Sequence, residues 1–383
     1  MHFDQAISLM IIATAALVLP NLAERVRIPP IVAEIIFGIF VGKSFLNIPF
    51  SNNWVLILSE LGFLMLMFLA GTEVDFSMLA KRKGDDFFLF GGMLLITFLL
   101  SYGLSTLLGH GFFLALILST TSIGLVLPVL RETGLGKSYY GQSLLLSAVL
   151  ADFFTFFGIT FYVLYVKFGF TWRFIAPLPI FILFGILMWG TRLWAWWNPE
   201  RANSLLGHSG QSELGVRFAI ALLFIFVALS EIAGIEPVLG AFMGGSLLSF
   251  AFREKAVLED KLESIAYGFL IPFFFIRVGT EFDLKSVFHT HALIFVGKLI
   301  VVAFAVKMIP SLLFGLKKVP LKFSLAAGIL LSSRLSLVVA AAAIGLREGF
   351  IGQALRDGII LLALVTSIAG PTLFRHFVAR EVL

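Results

Sequence analysis

Long unbroken apolar runs, parted by short polar gaps, repeat from one end of the chain to the other. Each run holds about 20 residues, the length an α-helix needs to cross a bilayer core of about 30 Å. Roughly thirteen spans follow, at 5–22, 29–46, 54–75, 87–108, 112–131, 139–166, 173–197, 213–232, 235–252, 262–279, 289–315, 321–346 and 353–376. The runs are continuous and do not alternate with period two, which excludes a membrane β-barrel. The chain reads as an all-α polytopic membrane protein forming a single domain over 1–383. Several runs hold Gly or Pro, which membrane helices tolerate where neighbours pack on them or where they line a cavity.

Composition sharpens this picture. Hydrophobic residues make up 59% of the 383 and charged residues 13%, against about 25% charged in soluble domains. There is no cysteine, so disulfide and thiol chemistry are excluded. The first run has neither a basic leader nor a small-residue cleavage site, and is expected to stay as a span. The net charge of +5 is a matter of loops and not of nucleic-acid binding. Loops after odd-numbered spans carry Arg25, Arg27, Lys81, Arg82, Lys83, Arg131, Lys137, Arg201, Arg253, Lys255, Lys261, Lys317, Lys318, Arg375 and Arg380. Those after even-numbered spans hold Lys167, Arg173 and Lys285, with Arg347 and Arg356 near the twelfth. The positive-inside rule places the odd loops in the cytoplasm, the N-terminus outside and the C-terminus inside.

A repeat is hidden in the pattern. Gly71–Phe76 reads GTEVDF and Gly279–Leu284 reads GTEFDL. Upstream, IPPIVAEIIFGIFVG from Ile28 opens the second span and IEPVLGAFMGG from Ile235 opens the ninth. Downstream, LSTTSIGLV from Leu118 matches LSSRLSLVV from Leu331. Each pair lies seven spans apart. Seven is odd, so the copies run through the membrane in opposite directions, the inverted repeat of secondary transporters with ion sites at broken helices near the midplane.

Polar groups inside the spans are the candidate chemistry, because an ionisable side chain at bilayer depth costs about 2.5–3.5 kcal/mol on insertion scales. Asp152 stands alone near the middle of the sixth span, in SAVLADFFTFFG. A carboxyl there holds either a proton or a monovalent cation, and competition between the two is the physical core of antiport. Lys298 and Lys307 lie nine residues apart on the eleventh span, on opposite faces at 100° per residue. The fifth and twelfth spans carry polar breaks, Ser119-Thr120-Thr121-Ser122 and Ser332-Ser333-Arg334. Unwound backbone there supplies carbonyls and half-helix ends with partial charge. Glu73 and Glu281 share the repeated motif and read first as capping residues. Arg277, four residues before Glu281, is placed to pair with it. No metal-ligand cluster, nucleophile elbow or phosphate loop is present, so no enzyme activity and no cofactor are expected.

These motifs resemble the cation:proton antiporter superfamily, in its Kef-type and sodium/proton exchanger branch, over nearly the whole chain. FLAGTEVDF is similar to that family's glycine–acid motif, LSTTSIGLVLPVLRETG to its first crossing helix, and LIPFFFIRVGTEFDL to its Pro-Phe-Phe segment. The resemblance implies two crossing broken helices, with Asp152 as the ion-binding acid and Thr121 as the threonine of the first crossing. It implies Lys307 as the charge partner, by its spacing to Ser333 and Pro320. It also implies a homodimer in an inner or plasma membrane, with scaffold and dimerisation helices at 1–82 and 213–288 and core helices at 83–170 and 289–378. Kef-type relatives often carry a C-terminal nucleotide-binding regulatory domain, a possible missing partner of this chain. Ala151 precedes the acid where the family usually has Asp, Asn or Gln, which points to electroneutral exchange of one K⁺ or Na⁺ for one proton. Leu335 and Ser336 follow Arg334 in place of the usual Gly-Glu, and Arg277 stands where a small or apolar residue is usual. An organic-anion carrier coupled to sodium, or a non-transporting sensor of the same fold, is the alternative. The two arginines would then anchor an anion.

Overall fold

The computed structural model describes residues 3–26, 28–48, 53–72, 84–136, 138–169, 213–232, 237–252, 256–283 and 290–378, with scattered positions between 182 and 197. Among them every regular element is helical. In chain order these are α1 (Phe3–Val26), α2 (Pro30–Val41), α3 (Asn53–Thr72), α4 (Gly84–Leu107), α5 (Phe112–Ser119), α6 (Ile123–Glu132), α7 (Tyr139–Phe168) and α8 (Leu214–Ile232). There follow α9 (Pro237–Ala251), α10 (Ala256–Ile265), α11 (Ile271–Thr280), α12 (Thr290–Ser311), α13 (Leu321–Leu331), α14 (Ser336–Arg347) and α15 (Gln353–Val378). A π-helical turn, Ala266–Leu270, carries α10 into α11.

Nine helical stretches among the described residues are long and apolar enough to cross a membrane, with the bent pair α13–α14 as a tenth and α2 and α9 as two shorter apolar helices. These correspond to twelve of the expected spans. The seventh, 173–197, lies largely outside the described residues.

The chain divides into two compact units. Unit 1 comprises Met1–Val26, Ala33–Ser77 and Thr160–Glu281; unit 2 comprises Arg27–Val32, Met78–Ile159 and Phe282–Leu383. In unit 1 the two repeats pack reciprocally. A Cβ on Gly71, in the first GTE motif, would collide with the Phe242 carbonyl of α9, and one on Gly245 with the Phe68 carbonyl of α3. A Cβ on Gly279, in the second motif, would collide with the Ile35 carbonyl of α2, and one on Gly38 with the Ile276 carbonyl of α11. Each motif therefore rests on the opening helix of the other repeat. Small residues are needed there because membrane helices gain their association from close backbone approach.

Unit 2 holds both broken helices. α5 and α6 are parted at Thr120–Ser122, and α13 and α14 at Ser332–Leu335, where the axis bends by 45°.

Candidate functional site

The breaks follow from hydroxyls that turn back on their own helices. Ser119 Oγ donates to Ala115 O at 2.8 Å, and Thr120 Oγ1 to Ile117 O at 2.8 Å. Ser332 Oγ donates to Ile329 O at 2.6 Å at the end of α13. Such local bonds compete with the next helical turn. Thr120 is extended, at φ −63° and ψ 161°. The two breaks then bond to each other. The Ser122 amide donates to Ser333 O at 2.9 Å, and Thr121 Oγ1 to Leu331 O at 3.0 Å.

An interrupted helix exposes carbonyls at one cut end and amides at the other, and a membrane protein must satisfy both internally. The carbonyl end of α5 is met by two buried cations. Lys307 Nζ, on α12, donates to Ser119 O at 2.6 Å. Arg334 gives Nε to Thr120 O at 3.1 Å, and Nη2 to Leu118 O at 2.7 Å and Ala303 O at 3.1 Å. Arg334 is fully buried and Lys307 nearly so, at 4% exposure. The amide end is met by the acid. The Thr121 N–H donates to Asp152 Oδ1 at 3.0 Å. Cations at a helix C-terminus and an anion at an N-terminus are the arrangement that helix partial charges favour. The crossing is thus sorted by charge, with carbonyls toward Lys307 and Arg334 and amides toward Asp152.

Asp152 is half-buried on α7 and forms no ion pair among the described residues. A cavity of about 20 Å³ is lined by Thr97, Thr121, Ser147, Ala151, Lys307 and Leu331 among others; Asp152 itself is not in its lining. The cavity exceeds the roughly 10–15 Å³ required to hold one water.

The structure brings Asp152, Thr121, Ser119, Ser122, Lys307, Ser333 and Arg334 into one constellation. It uses the Thr121 amide to reach the acid and spends the Thr121 and Thr120 hydroxyls on carbonyls. Lys298 is exposed on α12, away from the buried face that carries Lys307. Arg277 pairs with Glu281 at 3.1 Å in unit 1, with both side chains partly exposed. Glu73 lies outside the described residues. Arg356, which the sequence places among the charges near the twelfth span, is 2% exposed and bonded to the fully buried Asp357 at 3.1 Å. Thr97, Ser147 and Asp357 were missed. For Ser147 the signal was its place on the same helix as Asp152, five residues earlier.

The model of the family described as sodium/hydrogen exchanger, transmembrane, matches residues 11–379. The chain is 35% identical to a putative Na⁺/H⁺ antiporter, YjbQ, of Bacillus subtilis, over 98% of this chain and 63% of that protein. It is 29% identical to the probable Na⁺/H⁺ antiporter 3 of Methanocaldococcus jannaschii, over 97% and 96% of the two chains. It is 24% identical to the Na⁺/H⁺-K⁺ antiporter GerN of Bacillus cereus, over 98% and 97%. The chain thus spans less than two-thirds of the first of these relatives, 63% of its length, and nearly all of the other two. In fold it is similar to the sodium proton antiporter MjNhaP1 of Methanocaldococcus jannaschii, with a TM-score of 0.69, 16% identity and 99% of each chain covered.

Proposed function

The chain belongs to the sodium/hydrogen exchanger family, and from that premise we propose that it exchanges Na⁺ or K⁺ for a proton at Asp152. One observation carries the assignment of the site. Among the described residues Asp152 is the acid that reaches the crossing, held there by the Thr121 amide and bound to no cationic side chain. Its carboxyl can therefore take up a proton or a cation without first breaking an ion pair. Lys307 and Arg334 hold the carbonyl end of α5 and keep the crossing's shape while the occupant of Asp152 changes. With one acid at the crossing, one cation is exchanged for one proton. The two compact units support a division of labour in which unit 2 is the moving core and unit 1 the scaffold through which two copies pair. The loop charges support an N-terminus outside and a C-terminus in the cytoplasm of an inner or plasma membrane. A nucleotide-binding regulatory domain is not part of this proposal. Arg277 is engaged by Glu281 and Arg334 by carbonyls, and the relatives are named for cations, so the organic-anion carrier is not favoured.

The test uses proteoliposomes with an imposed pH gradient and a pH-sensitive dye. Addition of Na⁺ or K⁺ collapses the gradient with the wild-type chain and not with Asp152→Asn. Collapse that persists in Asp152→Asn would remove Asp152 from the site. No response to either ion from well-reconstituted wild type would overturn the exchange reading.

A further inference from the structure

The repeated motif from Gly279 has no part in the crossing, yet its residues are bonded on both sides of a boundary. Gly279 rests on α2, and the Thr280 carbonyl accepts the Lys43 N–H at 3.1 Å. Thr280 Oγ1 donates to Arg277 O at 2.7 Å, and Glu281 accepts from Arg277 Nε at 3.1 Å. All of these belong to unit 1. The chain then passes to unit 2 between Glu281 and Phe282. Phe282 is 1% exposed, and the Asp283 N–H donates to Asp357 Oδ2, on α15, at 3.2 Å. The other passages between units with described residues on both sides fall inside α2 and α7. In the first repeat the motif ends at Phe76 and its unit 1 segment at Ser77.

Asp357 is itself braced. It is fully buried, and it accepts from Arg356 Nη1 at 3.1 Å and from Gln353 Nε2 at 3.2 Å to each oxygen. Adjacent residues on a helix do not ordinarily face each other, so the guanidinium is folded back onto its neighbour. A carboxylate fixed by a guanidinium and an amide grips a main-chain N–H with a charge-assisted bond, about twice as strong as a neutral one. Nothing in ion binding at Asp152 requires so costly a buried group at this place.

We propose that Asp357, braced by Arg356 and Gln353, is a positioning residue for exchange. It fixes the unit 2 side of the joint at Glu281–Phe282, while Gly279–Glu281 fix the unit 1 side. Only Glu281 and Phe282 lie between the anchored Thr280 and Asp283, and displacement at one anchor is passed to the other and not lost in slack chain. The consequence for rate rests on the exchange reading above; the anchoring itself does not.

The chain has no cysteine of its own, so a removable covalent anchor can replace the natural one. In liposomes Asp357→Ala lowers the maximal exchange rate by about tenfold or more while half-saturating Na⁺ stays within about twofold, because the ion site is untouched. Hydrogen exchange by mass spectrometry shows slow exchange at Asp283 in wild type. That protection is lost in Asp357→Ala, with peptides of α5 and α6 unchanged. In the pair Asp283→Cys with Asp357→Cys, reduced protein is slow and oxidation restores the rate; Asp283→Cys alone is the control. A wild-type rate in Asp357→Ala, rapid exchange at Asp283 in wild type, or a verified cross-link that leaves exchange slow would each overturn the proposal. Should wild type move no cation, the exchange reading fails, and the protection at Asp283 still decides whether Asp357 anchors the joint.

Discussion

The Lys307 ammonium lies 2.6 Å from the Ser119 carbonyl, and it pairs with no carboxylate among the described residues. This separates two ways in which a buried lysine can serve a buried acid. In a direct buried pair, removing one partner costs about 3–5 kcal/mol because the other is left uncompensated. A charged hydrogen bond to a carbonyl is worth about 1.5–3 kcal/mol. Lys307→Met is therefore expected to destabilise by about 1.5–3 kcal/mol, and Asp152→Asn by less. A double-mutant cycle by denaturant unfolding in detergent should give a coupling below about 1 kcal/mol. Coupling of about 3 kcal/mol or more would mean that the two residues pair directly in the populated state.

Arg334 bridges three carbonyls on two helices, Leu118 and Thr120 at the first break and Ala303 on α12. Lysine carries a compact charge without the planar fork and cannot span that set. Each buried carbonyl left unsatisfied costs about 1–3 kcal/mol. Arg334→Lys should fold with a lower melting temperature, Arg334→Ala should be worse, and both should exchange slowly. Thermal unfolding beside transport measures this. An Arg334→Ala variant as stable as wild type would show that the guanidinium does not hold the crossing.

What could be read from the sequence followed from isolation. Asp152 is a lone charge in a long apolar run, where any charge is costly, and isolation alone marks it; Lys298 and Lys307 share one such run, and only the family resemblance separates them. Arg334 was visible on its polar break, but its role was not. Whether it faces a substrate or the α5 carbonyls depends on the fold of a segment more than 200 residues away. The Thr121 amide was out of reach too, since the backbone angles of the break decide whether hydroxyl or N–H meets the acid. Arg356 and Asp357 were hidden by their neighbours. They begin a span just after Arg347 and Glu348, where charge reads as a solvated loop, and the bonded Asp283 amide lies 74 residues away. The glycine motifs announced a repeat, yet their reciprocal packing needs the tertiary arrangement.

That packing makes a prediction of its own. A methyl group on Gly279 or Gly71 would run into main-chain atoms of a neighbouring helix, and main chain cannot rotate away. Gly297, on α12, has open space around it. Gly279→Ala and Gly71→Ala should lower the melting temperature and the yield of folded protein, since overpacking costs about 1–3 kcal/mol. Gly297→Ala should lower neither. Size-exclusion profiles and thermal unfolding of the three variants in one detergent check this, and equal behaviour of all three would remove the close-approach argument.

The proposed exchange at a single acid also sets a pH dependence. If proton and cation exclude one another at Asp152, a fall in pH fills it with protons and raises the cation concentration needed for half-maximal exchange. For one proton displaced by one ion, that concentration rises by about tenfold per pH unit once the protonated form predominates. Two acids releasing two protons would make it about a hundredfold. The sign is fixed: apparent affinity falls as pH falls, and levels off on the alkaline side where the carboxylate is already free. Half-saturating Na⁺ and K⁺, measured in liposomes at matched internal and external pH, should plot against pH with a limiting slope near one decade per unit. A slope near two decades would place a second titrating group in the site and remove the case for one-for-one exchange.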